Sequence, residues 1–175
     1  MTTNTNTIEK SRTYYLVINA LFIALTLVAT WLINIRLPFM GNGGLIHLGN
    51  VPLFVAAMLF GRKTGAIAGA FGMGLFDLMS GWTAWAPFTF IIVGCMGYVV
   101  GLLAEKKPFK HMMVTNVISI ILALIIKVAG YYFAEVILYG NWIAPLGSIP
   151  GNVVQVGFAG IIVLLFIQQL RKIVK

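Results

Sequence analysis

Residues 112–139 read MMVTNVISIILALIIKVAGYYFAEVILY, an apolar run whose only charges are Lys127 and Glu135. A helix needs roughly 20 predominantly apolar residues to cross the hydrocarbon core of a bilayer, and this run is long enough to do so with some tilt. A charged side chain at mid-membrane costs roughly 2.5–3.5 kcal/mol on insertion scales, so such groups face a cavity, a partner or a substrate. Lys127, Tyr131 and Glu135 follow the i, i+4, i+8 spacing that places them on one helical face. A third ionisable group, Asp77, lies in another apolar run, so two of only four acids in the chain sit in such stretches.

The whole sequence agrees with this reading. Of 175 residues, 60% are hydrophobic and 9% charged, and the mean hydropathy is +0.97. An average soluble domain carries about 25% charged residues, so this chain cannot clothe a globule in polar surface. It reads as an all-α integral membrane protein of one domain, residues 14–175, behind a polar, cytoplasmic N-terminus, residues 1–13. The run 14–35 is too long for the h-region of a signal peptide, and no small-residue cleavage site closes it.

Punctuation by Gly, Pro and charge divides the chain into a compact bundle of six transmembrane helices at about 14–35, 51–61, 64–80, 85–104, 112–139 and 151–170. Segment 36–50, with Pro38 and Gly41, Gly43 and Gly44, reads as an irregular outer loop between the first and second helices. Lys10, Arg12, Arg62, Lys63, Lys106, Lys107, Lys110, Arg171, Lys172 and Lys175 collect at one end, against Arg36 alone at the other. The positive-inside rule then places both termini in the cytoplasm. The net charge of +8 is a topology and headgroup signal, scattered at the ends of apolar runs, and no nucleic-acid partner is expected. Gly65 and Gly69, with Ala68 and Gly72, and then Gly97 and Gly101, give small-residue faces suited to close helix packing within one bundle.

Most of the remaining polar residues fall at the outer end. Asp77 lies one turn from the end of the third helix, and Trp82 and Trp85 bracket the start of the fourth, with Thr89 one turn further in. Asn152 and Gln155 occupy the first turns of the sixth, and His47 and Asn50 belong to the outer loop. No continuation of this set towards the cytoplasm, as a proton or ion path needs, is expected. The pattern of a cation, carboxylates, amides, a phenol and indoles points to an outward pocket for a small, flat, heteroaromatic ligand. Each residue also has a plainer reading. Lys127 and Glu135 can pair with each other, the tryptophans can be interfacial belt residues, Asp77 can cap the outer loop, and His47 can order its own loop.

Catalytic chemistry finds no support. The chain has no GxxxxGK[ST], since Gly61-Arg-Lys-Thr lacks the upstream glycine, and no HExxH, nucleophile elbow or Cys/His cluster. His47 and His111 fall at opposite ends, Cys95 stands alone, and neither metal nor cofactor is expected. The chain does not read as an enzyme.

At the level of family, the chain resembles the substrate-binding S components of energy-coupling factor (ECF) vitamin transporters. The resemblance is carried by Ala20-xxx-Ala24 in the first helix, Leu45-Ile-His-Leu-Gly-Asn-Val-Pro52 leading into a short second helix that ends Phe60-Gly61-Arg62, Thr64-Gly65-Ala66-Ile67-Ala68-Gly69, and Phe76-Asp77-Leu78. It covers about residues 14–172. It implies a bacterial cell-membrane protein that binds a water-soluble vitamin from outside and docks on a transmembrane coupling subunit attached to two ABC ATPases. It further implies that Ala20 and Ala24 form the docking face. Within the family the chain is most similar to components assigned to hydroxymethylpyrimidine or pyridoxine, with pantothenate as an alternative. A self-sufficient ion-coupled carrier or channel is the competing class, and a ligand-free assembly protein the third.

Overall fold

A computed structural model describes residues 11–32, 34–36 and 45–174. The expectations for the polar N-terminus up to Lys10 and for the glycines of segment 37–44 lie outside these residues. The described chain forms six α-helices and one small antiparallel ribbon. In order these are α1 (Arg12–Leu32), β1 (Asn34–Arg36), β2 (Leu45–His47), α2 (Asn50–Phe60), α3 (Arg62–Met79), α4 (Ala86–Lys106), α5 (Met112–Tyr139), a 3₁₀ turn (Ala144–Ser148) and α6 (Ile149–Val174).

Two sequence expectations need correction. The first helix stops at Leu32, not near residue 35, and its outer loop is not wholly irregular. Asn34 pairs with His47, Ile35 with Ile46 and Arg36 with Leu45. Three residues of Asn-Ile-Arg and three of Leu-Ile-His are too short for a period-2 pattern to show in sequence.

Among the described residues, four helices are long and apolar enough to cross a membrane: α1, α4, α5 and the continuous segment Ala144–Val174. Helix α2 has only 11 residues, yet it is the most buried element, with Leu53, Phe54, Ala56 and Ala57 all fully covered. It forms the centre around which α3, α4, α6 and α1 pack.

Helices α3 and α4 share the most extensive contact. A Cβ on Gly65 would stand 2.6 Å from the carbonyl oxygen of Gly97 and 2.6 Å from the Cβ of Ala57. One on Gly69 would stand 2.8 Å from the carbonyl oxygen of Val93. The small-residue faces are therefore consumed inside the bundle, backbone against backbone, as close packing between membrane helices requires.

Gly61 joins α2 to α3 at φ +89, a left-handed conformation open to glycine at little cost. Glu105, at the far end of α4, closes this turn from outside. Its Oε1 accepts the Arg62 backbone N–H at 2.8 Å, and its Oε2 lies 3.4 Å from the Arg62 Nε. A carboxylate at a helix N-terminus satisfies an otherwise orphaned N–H and complements the dipole. The basic residues of α1, of the α2–α3 turn, of the α4–α5 connection and of the end of α6 thus share one end of the bundle. The ribbon, the starts of α2, α4 and α6 and the ends of α3 and α5 share the other.

Candidate functional site

The face predicted for α5 is a buried one. Lys127 is 2% exposed and Glu135 3%, and both line a cavity at the ribbon end of the bundle together with Tyr131 of the same helix. Asp77 from α3, Trp82 and Trp85 from the α3–α4 connection, His47 from β2, and Asn152 and Gln155 from α6 complete the lining. The space between these side chains amounts to about 490 Å³ including its opening.

Two hydrogen-bonded walls shape it. On one side the Thr89 hydroxyl donates to Asp77 Oδ2 at 2.5 Å and lies 2.9 Å from the Tyr131 hydroxyl. A hydroxyl has one hydrogen, and Thr89 gives it to the carboxylate, so Tyr131 is the donor in the second bond. This chain, Tyr131 to Thr89 to Asp77, ties α5, α4 and α3 together. On the other side Lys127 Nζ donates to Gln155 Oε1, which also accepts from Asn50 Nδ2 at 3.3 Å. One amide oxygen thereby joins α5, α6 and α2. The ammonium also lies 5.6 Å from the centre of the Tyr131 ring, within cation–π range.

Of the eleven residues expected at this site, nine line the cavity and two stand directly behind it. Thr89 holds Asp77 and Tyr131, and Asn50 holds Gln155. Asn50 is fully buried, and its Oδ1 has no partner among the described residues.

The plainer readings can now be weighed. Lys127 does not pair with Glu135: the ion pair found among the described residues is Arg62 with Glu105, at the opposite end. Trp82 and Trp85 meet edge to face at 5.1 Å, and Trp85 continues to Tyr139 at 6.0 Å. They form a rigid aromatic corner over the cavity, where belt residues would face lipid. His47 orders its own loop and also lines the cavity. Its Nδ1 accepts the Gly49 backbone N–H at 3.2 Å, ordering the loop, which leaves the proton on Nε2 as a donor. Complete burial, and then the nearby Lys127 cation, hold its pKa well below the usual 6.5, so the ring is neutral.

A second set of buried polar residues lies towards the basic end. Thr115, Asn116 and Ser119 of α5 are fully buried there, and neither amide atom of Asn116 has a partner among the described residues. Thr115, Ser119, Ala123 and Lys127 share i+4 spacing, so the signal was present in the sequence. Ala123 interrupts it, and the inner group is separate from the cavity. Ala20 and Ala24 are exposed on α1, whereas Ala29, at a different helical angle, is half-buried. The described residues contain no group of three or more His, Cys, Asp or Glu able to hold a metal.

The geometry is that of a binding site. It offers donors (Lys127, His47 Nε2), acceptors (Asp77, Glu135) and aromatic faces around one space.

A family model identifies the family, and the descriptions of the matches name different ligands. A family model described as the S component of an ECF-type riboflavin transporter matches residues 10–172. The thiamine precursor transporter HmpT of Lactococcus lactis subsp. cremoris (strain MG1363) is 31% identical over 137 residues, 78% of this chain and 75% of that protein. An uncharacterized protein of Pyrococcus woesei is 30% identical over 106 residues, 61% of this chain and 69% of its own length. Among solved structures, one described as the S component of a bacterial ECF transporter superposes with a TM-score of 0.69, covering 94% of this chain and 99% of that one at 20% identity.

Proposed function

The chain belongs to the S components of ECF-type transporters, membrane-embedded subunits that bind substrate while partner ATPases hydrolyse ATP, and from that premise we propose that it captures a single-ring heteroaromatic vitamin precursor, of the hydroxymethylpyrimidine or pyridoxine kind. Six spans with both termini in the cytoplasm put the cavity on the outer face of a bacterial cell membrane. Delivery follows docking on a transmembrane coupling subunit and two ABC ATPases, with Ala20 and Ala24 at the contact.

The observation that carries this reading is the pairing of donor and acceptor walls across so small a space. A ring nitrogen or hydroxyl oxygen accepts from Lys127 or His47. An exocyclic amine or hydroxyl donates to Asp77 or Glu135, and the ring stacks in the corner made by Trp82, Trp85 and Tyr131. The similarity to the thiamine precursor transporter supports the same class. Riboflavin is the second reading, favoured by the description of the family model.

Calorimetry on the purified protein tests the choice. A hydroxymethylpyrimidine or pyridoxine ligand is expected to bind tightly, riboflavin weakly or not at all, and Lys127→Ala to weaken binding roughly 10- to 100-fold, the range for hydrogen bonds involving a charged partner. Tighter binding of riboflavin would overturn the single-ring reading. A Lys127→Ala protein with unchanged affinity would remove this cavity from the mechanism. The docking proposal is tested separately: Ala20→Trp or Ala24→Trp should abolish uptake in cells carrying the ATPase module while leaving vitamin affinity intact. Uptake at the wild-type rate would place the contact elsewhere.

A further inference from the structure

The basic end of the bundle holds a second cavity, independent of the vitamin site, of about 770 Å³ including its opening. Its walls come from five helices: Tyr15 of α1, Met58 and Phe60 of α2, Glu105 of α4, Met112 of α5 and Arg171 of α6. Arg171 is the unusual member. One arm of its guanidinium, Nη2, donates to the Met58 carbonyl at 3.3 Å. The other arm, Nη1, is buried with no partner among the described residues. A guanidinium is a rigid fork of five N–H donors, so anchoring one arm fixes where the other points. A buried donor left unmade costs about 1–3 kcal/mol, and more when charged.

Two further features select the acceptor. Lys107, carried past the end of α4 in a left-handed conformation at φ 46, lines the same cavity as a second cation. Glu105, the one carboxylate in the lining, already bonds to the Arg62 backbone N–H and pairs with its guanidinium, so it leaves the two other cations uncompensated. The remaining wall, from Met58, Phe60, Met112 and Val174, is apolar. Two cations above apolar side chains, at the end of a bundle of membrane helices, match an amphiphile with an anionic head. Basic pockets between membrane helices on the cytoplasmic side take phosphorylated lipid headgroups, and arginine is the side chain that fits phosphate oxygens in a bidentate manner.

We propose that this cavity binds a phosphate group through Arg171 and Lys107, supplied by an anionic phospholipid of the cytoplasmic leaflet. A lipid held there bridges α2, α4, α5 and α6 at the end where Arg171 reaches from α6 to the Met58 carbonyl.

The test uses the full chain in detergent, observed by native mass spectrometry during titration with phosphatidylglycerol or phosphatidylcholine. The wild type should retain phosphatidylglycerol in clear preference, and Arg171→Gln or Lys107→Gln should each weaken that retention about fivefold, the effect of one cation near an anionic surface. Equal retention of the two lipids, or phosphatidylglycerol retention unchanged in both variants, overturns the proposal. Because Arg171 also holds the Met58 carbonyl, vitamin affinity serves as the folding control. Should Arg171→Gln fail it, Lys107→Gln carries the test, since the Lys107 side chain makes no hydrogen bond among the described residues. A lipid-free arm with inorganic phosphate separates the sources. Thermal stabilisation by phosphate that either variant abolishes supports the phosphate site and assigns it to a soluble anion. Stabilisation by phosphatidylglycerol alone supports the lipid.

Discussion

The α3–α4 seam and the α5–α6 seam meet the same demand in opposite ways. Between membrane helices there is no hydrophobic driving force, and association rests on close packing or on interhelical hydrogen bonds. Along α3 and α4 the first device dominates, with Gly65 and Gly69 facing the Gly97 and Val93 carbonyls with no room for a side chain. Between α5 and α6 the second dominates, where Lys127 reaches Gln155 and the aromatic and carboxylate side chains beyond hold a cavity open. The contrast explains where the ligand site lies. A site needs space and donors, which glycine contacts cannot provide, and it needs fixed walls, which the glycine-packed half supplies through Asp77 and Thr89. One seam is frame and the other is pocket.

The sharpest way to break this comparison is to add a side chain inside the glycine seam and another at an open position of α6. Gly65→Val places its side chain against backbone that cannot withdraw, and overpacking of this kind costs about 3 kcal/mol or more. Gly157→Ala on α6 meets nothing within 4 Å, and should be neutral or stabilising by about 0.5–1 kcal/mol, the usual advantage of alanine over glycine within a helix. Thermal unfolding of both variants in detergent checks the pair. If Gly65→Val unfolds at the wild-type temperature, the glycine seam is not the frame.

A smaller effect sharpens the link between frame and pocket. Thr89→Val keeps the shape but removes the hydroxyl that receives Tyr131 and binds Asp77. Loss of these bonds should weaken vitamin binding about 5- to 10-fold, from the roughly 1 kcal/mol typical of a hydrogen bond, while the unfolding temperature moves little. Unchanged affinity in calorimetry would mean that the Asp77 wall does not contact the ligand.

The helices were legible in the sequence because hydropathy and Gly/Pro punctuation act locally. The pocket was legible because Lys127, Tyr131 and Glu135 are rare side chains at helical spacing in an apolar run. Two hidden features share one physical cause: partners distant in sequence. Glu105 read as part of a charged loop, yet it caps a helix that starts 43 residues earlier. Arg171 read as a topology signal, yet one of its arms lies against α2, 113 residues away. Thr115, Asn116 and Ser119 were passed over because small polar residues are common in membrane helices and satisfy themselves locally. Ser119 does so, donating to the Asn116 carbonyl at 2.8 Å, but the Asn116 amide does not.

The smallest effect concerns the ribbon, which belongs to neither seam but brings His47 to the pocket. His47 is neutral because its Nδ1 accepts the Gly49 N–H and because burial and Lys127 disfavour its charged form. Its folded pKa lies below the unfolded value of 6.5, so the unfolded chain binds the extra proton first as the pH falls. The contribution to stability is therefore complete above pH 6.5 and is lost progressively below it, by at most about 1.4 kcal/mol per pH unit. His47→Asn keeps a side-chain oxygen for the Gly49 N–H but cannot titrate in this range. The unfolding temperature of the wild type should decline below pH 6.5, and that of His47→Asn should decline less. Asp77, Lys127 and Glu135 face the same cavity and are common to both proteins, so the difference between the two curves isolates the imidazole. Identical curves would mean that the ribbon end opens freely enough for His47 to take up a proton in the folded state, and the pocket would then lack the fixed wall that its geometry gives it.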